Sequence, residues 1–239
     1  MELFSTIRKE GEYWLVDQVK QKEVSEERYR EAFAGLLSEW RGEKSSFLSL
    51  LMDPAYEDWL LGQGFRKISV ITEYSKRLDG SEEAGGTVRV ESLGASSMFD
   101  REFADLYDRC RSGSANKNKL FTMDQIMESL SHELGDGWRS HCFIFWQGEE
   151  PAGVSIPHIE AGTETEGRLF YFGVTPENRG KGLGTLFHRL SLGLLHDRFG
   201  AETYVGSTDE ENRHMIGIFE RNGCRLRDKK GIYRLERQS

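Results

Sequence analysis

Three glycines alternate at positions 180, 182 and 184 in the string Arg179-Gly180-Lys181-Gly182-Leu183-Gly184-Thr185. They stand between an aromatic-rich run ending at Val174 and a long stretch of helical apolar spacing. Glycine lets a backbone come close to a ligand and leaves its N–H groups facing outward. A helix that starts at such a loop adds about half a positive charge at its first turn. Together these features make an anion site suited to a phosphate or pyrophosphate, with Arg179 and Lys181 adding charge. Two other glycine-rich loops are excluded. No G-x-x-x-x-G-K-[ST] string occurs, and the dinucleotide fingerprint G-x-G-x-x-G fails because Thr185 stands at its third glycine.

Metal chemistry is not expected. His132, His141, His188, His196 and His214 form no H-x-x-x-H pair and have no carboxylate cluster nearby in sequence. Cys110, Cys142 and Cys224 lie far apart with no C-x-x-C pair, which argues against a zinc site or a disulfide framework and for a reducing compartment.

The elements that must position the loop alternate between strands and helices. Strands are expected at 87–93, 142–146, 152–158, 168–174 and 201–207, and around 224–226 and 232–235. Helices are expected at 99–111, 123–134, 182–199 and 211–221. The 182–199 helix carries Leu183, Leu186, Phe187, Leu190, Leu194 and Leu195 on one buried stripe. Residues 112–119 and the acidic stretch 160–167 read as loops. Nearer the N-terminus, the pattern predicts a helix at 29–40, a strand at 47–52, a short helix at 56–61, then Gly64-Phe65 and a strand at 68–74. Leu78-Asp79-Gly80-Ser81-Glu82-Glu83-Ala84-Gly85-Gly86 reads as a break. The expected division is a unit at 1–80, a linker at 81–86 and a domain at 87–239.

The chain has 239 residues, 37% of them hydrophobic, enough for a packed core. Its 32 Lys/Arg against 40 Asp/Glu give a net charge of −8, which argues against a sequence-independent nucleic-acid binder. No apolar run approaches the ~20 residues that cross a bilayer, and the N-terminus lacks the pattern of a signal peptide. No nucleic acid and no membrane partner are expected, and the default location is cytoplasmic.

The loop Arg179-Gly180-Lys181-Gly182-Leu183-Gly184 resembles the [RQ]-x-x-G-x-[GA] motif of the GNAT superfamily of acyl-CoA-dependent N-acetyltransferases. Asn212 opens a helix that runs to Phe219-Glu220-Arg221-Asn222-Gly223-Cys224, which looks like the ending of that fold. The resemblance covers about residues 87–237. It implies an α/β (α+β) fold with a mixed, mostly antiparallel sheet, flanked by helices and splayed between the strands at 168–174 and 201–207. Pantetheine would lie in the gap against the backbone of Phe172, Gly173 and Val174. The pyrophosphate would sit on the N–H groups of Arg179, Gly180, Lys181, Gly182, Leu183, Gly184 and Thr185, and Asn212 would bond the pantetheine arm. The implied reaction moves an acetyl group from acetyl-CoA, as co-substrate, to an amine, without a metal. The alternative is a non-catalytic acyl-CoA-binding module.

Many relatives carry a proton-donating Tyr seven residues after the Asn. Here that residue is Phe219, which cannot donate. Tyr204, Ser207 and Tyr171 are the candidate substitutes, with solvent as the alternative. His158 and Glu160 are candidate bases, at the end of a strand whose family counterpart lines the acceptor site. Acidic runs at Glu160, Glu164 and Glu166 and at Asp209, Glu210 and Glu211 favour a cationic amine. Residues 28–78 are similar to the back half of a GNAT domain but carry no phosphate loop. A degenerate partial copy is expected there, with an unrelated αβ extension as the alternative.

Overall fold

The computed structural model describes residues 2–80, 88–113 and 122–237. They form two compact units, Met1–Thr72 with Asp228–Ser239, and Glu73–Arg227. The expected linker at 81–86 and most of the loop at 112–119 lie outside the described residues.

The first unit opens with a hairpin, β1 (Phe4–Lys9) and β2 (Tyr13–Gln18), turned at Gly11 with φ +73°. Helix α1 (Glu26–Gly42) follows, with Ser25 capping the Arg28 N–H and Glu26 and Glu27 in the first turn. It buries Tyr29, Phe33, Leu37 and Trp40. Strand β3 (Phe47–Met52) pairs parallel with β2 over five positions, Tyr13↔Phe47 through Asp17↔Leu51. Asp53 caps a 3₁₀ turn, Pro54–Tyr56, that leads into α2 (Glu57–Gly62), and β4 (Arg66–Arg77) follows. Phe33 centres the core, its ring within 5.6–6.0 Å of Phe4, Phe65 and Trp59.

The second unit is built on β5 (Val88–Ser92), β6 (Phe143–Gln147), β7 (Glu150–Ile159) and β8 (Glu166–Val174), each antiparallel to the next. Helices α3 (Asp100–Arg111) and α4 (Met123–Leu134) pack on the sheet, their Phe103, Leu106 and Leu130 in one cluster with Ile144, Val154 and Ile156. Helix α5 (Leu183–Phe199) packs on β7 and β8, and α6 (Arg213–Arg221) packs on α5. Strand β9 (Thr203–Asp209) lies parallel to β8. The last strand, β10 (Arg225–Glu236), passes from the second unit into the first. The sheet is mixed and mostly antiparallel, as the resemblance implied.

Three features differ from the sequence reading. The β1–β2 hairpin was not anticipated, because β1 buries only Phe4 and shows no apolar alternation. Residues 228–236 join the first unit through an antiparallel ladder with β3, Gly231↔Met52 to Glu236↔Phe47, and residues 73–80 join the second. The stripe expected on α5 is too narrow. His188, Ser191, Leu192 and Gly193 are buried as well, because β7 and β8 lie on one side of the helix and α6 on another.

Candidate active site

Strand β8 ends at Val174, and Thr175 fixes the turn that follows. It is fully buried, its N–H donates to the Ala152 carbonyl at 2.9 Å, and its Oγ1 accepts from Asn178 Nδ2 at 3.0 Å. The loop then bends at Gly180 and Gly182, whose φ values of +74° and +79° strain any L side chain. Gly182 caps α5 in the left-handed conformation. Arg179 and Thr185 already use their N–H groups inside the loop, on the Pro176 and Gly182 carbonyls at 3.3 and 3.2 Å. Among the described residues, the N–H groups of Gly180, Lys181, Gly182, Leu183 and Gly184 have no hydrogen-bond partner. The seven expected anion donors thus narrow to these five.

The guanidinium of Arg179 does not stand free at the loop. Its Nε donates to the Val174 carbonyl at 3.0 Å and its Nη2 to the Cys110 carbonyl at 2.8 Å, tying the end of β8 to the end of α3. Lys181 is exposed, and neither it nor Leu183 lines the cavity between β8 and β9.

Strands β8 and β9 pair only at Glu166↔Thr203 and Gly167↔Tyr204 and then part. The gap is a cavity of about 500 Å³ whose walls are residues 169–174 with Tyr204 and residues 206–208, and whose end is formed by Gly180, Gly182 and Gly184. A strand edge without a neighbour exposes unpaired backbone groups, the docking mode by which an extended ligand adds to a sheet. Phe172, Gly173 and Val174 supply that edge.

Two tyrosines reach the cavity. The Tyr171 hydroxyl lies over Gly173, where an added Cβ would stand 2.4 Å from it, and its ring is 4.1 Å from that of Tyr107. Burial pushes this phenol well above its ordinary pKa. The Tyr204 hydroxyl lies over Gly206 in the same way, 2.1 Å from the position of an added Cβ. Burial raises this phenol too. Tyr204 Oη is 3.2 Å from His188 Nε2, and His188 Nδ1 is 2.9 Å from Asn222 Nδ2, which also donates to the Thr185 carbonyl at 3.0 Å. Neither His188 nor Asn222 was a sequence candidate. The one signal was a polar residue set among Phe187, Leu190 and the other apolar positions of α5.

Phe219 is buried on the cavity wall, stacked on Tyr74 at 5.1 Å and edge-on to His188 at 5.5 Å. Asn212 also faces the cavity, but its side chain serves the fold. Oδ1 caps α6 through the Met215 N–H at 3.2 Å, and Nδ2 donates to Thr208 Oγ1 at 3.0 Å. Ser207 is exposed at the rim.

The candidate bases do not line the cavity. His158 Nε2 is 3.8 Å from Glu160 Oε2, and burial lowers the His158 pKa. The expected acidic mouth is largely neutralised. Arg168 pairs with Glu166 at 2.7 Å and Glu160 at 3.2 Å, and Arg227 meets Glu166 and Glu73, each at 3.5 Å. Asp209 Oδ1 accepts the Glu211 N–H at 2.9 Å.

Burial of His188 has a consequence for stability. It pushes the imidazole pKa from 6.5 down to about 3. Below pH 6.5 the unfolded chain takes a proton that the fold refuses, so stability falls as the pH falls, by about 1.4 kcal/mol per unit. Urea unfolding at about pH 7 and about pH 5 should show wild type losing about 2 kcal/mol more over that interval than His188→Gln. Equal losses would refute the buried neutral imidazole.

Comparison with known proteins agrees with this geometry. The pattern of the acetyltransferase (GNAT) family matches residues 101–224. No curated protein matches. A GCN5-related N-acetyltransferase from Sphaerobacter thermophilus superposes with a TM-score of 0.71 at 14% identity, covering 98% of this chain and 76% of that one. A functionally unknown conserved protein from Staphylococcus epidermidis gives 0.60 at 13%, covering 95% and 85%. A tandem GNAT protein from the clavulanic acid biosynthesis pathway gives 0.58 at 16%, covering 95% and 76%. At these identities the structures establish the fold, while the sequence pattern spans more than half of the chain and takes in both the loop and the Asn212 helix. The chain belongs to the acetyltransferase (GNAT) family.

Proposed function

We propose that the protein transfers an acetyl group from acetyl-CoA to a primary amine of a small molecule or peptide, by direct attack while both are bound. The observation that carries this reading is the cavity between β8 and β9, whose end is formed by Gly180, Gly182 and Gly184 in a loop with five unpartnered N–H groups. Those groups and the first turn of α5 suit a pyrophosphate, and the free edge at 172–174 suits the amide-bearing pantetheine arm. The reacting amine must be neutral to attack. His158, held neutral by burial beside Glu160, is the base we assign, acting through water because it stands off the cavity. The acceptor side carries Glu73, Glu160 and Glu166 against Arg168 and Arg227, so its pull on a cation is weaker than the acidic runs suggested.

Phe219 favours a second reading, a module that binds acyl-CoA without turning it over. Thiol release from acetyl-CoA across polyamines, amino acids, aminoglycosides and peptides separates the two. Release with at least one amine supports transfer, and tight binding without release supports the module.

We also read residues 13–77 as a partial copy of 166–236. Helices α1 and α5 each have 17 residues. Asp53 caps the 3₁₀ turn that leads into α2 and Asn212 caps α6, each eleven residues before a positive-φ glycine, Gly64 or Gly223. The N–H groups of Phe65 and Cys224 return alike to the carbonyls of Leu60 and Phe219, at 3.1 and 2.9 Å. In the first unit, however, β2 and β3 stay paired over five positions where β8 and β9 part after two. The closed pair leaves no cleft for a pantetheine arm. Calorimetry should therefore give one acetyl-CoA per chain, and a stoichiometry of two would overturn this reading.

A further inference from the structure

The hydrogen-bond chain beneath the cavity wall has a fixed direction. Asn222 Nδ2 donates to the Thr185 carbonyl at 3.0 Å, and a carbonyl can only accept, which sets the amide orientation. Its second N–H points at His188 Nδ1, 2.9 Å away, so Nδ1 must be the bare nitrogen. A neutral imidazole then carries its hydrogen on Nε2, which donates to Tyr204 Oη at 3.2 Å. The phenol oxygen is thereby an acceptor from below. Its own hydrogen has no acceptor among the described residues, and Tyr204 is on the cavity wall. Gly206 makes room for this hydroxyl. A Cβ there would lie 2.1 Å from Tyr204 Oη and 3.1 Å from Phe219 Cε1, so the hydroxyl and the edge of the Phe219 ring converge on one spot.

We propose that His188 and Asn222 are positioning residues that hold the Tyr204 hydroxyl as a hydrogen-bond donor into the cavity, where it meets the thioester sulfur as that sulfur leaves. The inference rests on the reading of the cavity as an acetyl-CoA site. It gives the chain a donor on β9 beside Phe219, which has none. In the step, the amine nitrogen bonds to the acetyl carbon and the carbon–sulfur bond breaks with its electron pair going to sulfur. Sulfur takes the Tyr204 proton, and the proton shed by the nitrogen returns to Tyr204 through solvent. The His188 N–H keeps its hydrogen throughout and stabilises the oxygen while it is short of its proton. Asn222 fixes the tautomer that allows this. A His188 with its hydrogen on Nδ1 would turn Nε2 into an acceptor and draw the Tyr204 hydrogen away from the cavity.

The test uses free CoA bound to the full-length protein, so that no acceptor need be known. The pH dependence of thiolate ultraviolet absorbance gives the pKa of the bound thiol. A donor aimed at sulfur favours the thiolate, so wild type should titrate about one to two pH units below Tyr204→Phe. Asn222→Asp, nearly isosteric, offers His188 Nδ1 an acceptor and inverts the tautomer. It should titrate with Tyr204→Phe, and the double variant should shift no further. Equal thiol pKa values in wild type and Tyr204→Phe would overturn the proposal, as would additive shifts in the double variant. If Asn222→Asp fails to fold, Asn222→Ser, which no longer fixes the tautomer, replaces it with the same expectation. Failure of wild type to bind CoA at all is a different result and refutes the reading of the cavity itself.

Discussion

Gly182→Glu should leave the protein folded and abolish measurable acetyl-CoA binding. Two effects add. A left-handed backbone costs an L residue about 1–2 kcal/mol, and Gly182 has φ +79°. A carboxylate then stands among the N–H groups meant for a phosphate, where the first turn of α5 now favours the wrong anion. An added Cβ meets nothing within 4 Å, so the fold has no clash to relieve. The combined loss should exceed about 100-fold in affinity, since each 1.4 kcal/mol is tenfold. Gly184→Val is the contrast. Its Cβ would stand 2.9 Å from Ile218 Cδ1, so its loss of stability comes from a contact that must shift, where that of Gly182→Glu comes from backbone strain of about 1–2 kcal/mol. Calorimetry and thermal melts on both variants check this. Unchanged affinity in folded Gly182→Glu would remove the loop from the site.

The loop was legible in sequence because its chemistry is local. Glycine spacing, the preceding strand and the following helix all lie within about one turn of each other, and the backbone itself is the ligand-binding group. The splay was legible only through resemblance, because nothing in the side chains of β8 and β9 states that their pairing stops after Gly167↔Tyr204. Tyr204 could be named as a candidate from its strand, but its partners could not. His188 is 16 residues before it on α5, and Asn222, 34 residues after His188, stands at the end of α6. A histidine that looks solitary in sequence acquires its meaning only when three elements meet. The same holds for Asn212 and Arg179, which read as ligand contacts and whose side chains also brace a helix start and a strand end. The closing half of β10 was misassigned for a related reason. Its alternation reveals a strand, but its partner β3 is far back in the chain.

Phe187→Ala should cost about 3–5 kcal/mol of stability and weaken acetyl-CoA binding without touching the ligand. Phe187 is fully buried on α5, and its ring stacks on Phe145 at 4.5 Å and 8°. It packs in the cluster that holds Ala152, Val174 and Leu190. Gly153 lets it come this close, since an added Cβ there would stand 2.8 Å from the ring. Removing the ring leaves a void between α5 and β7, and close-packed interiors relax into such voids only partly. The loss is a large share of the 5–15 kcal/mol that holds a typical domain together, so the urea midpoint should fall visibly. The functional consequence follows from Val174. That residue ends β8, lines the cavity and hands its carbonyl to Arg179, so a looser Val174 lets the strand end and the loop drift apart. Phe187→Leu, which refills most of the volume, should recover both stability and affinity to a large degree. If Phe187→Ala costs less than about 1 kcal/mol, α5 is not seated on the sheet through this ring. If stability falls and affinity does not, the rigidity of the loop comes from Arg179 and Thr175 and not from the packing beneath Val174.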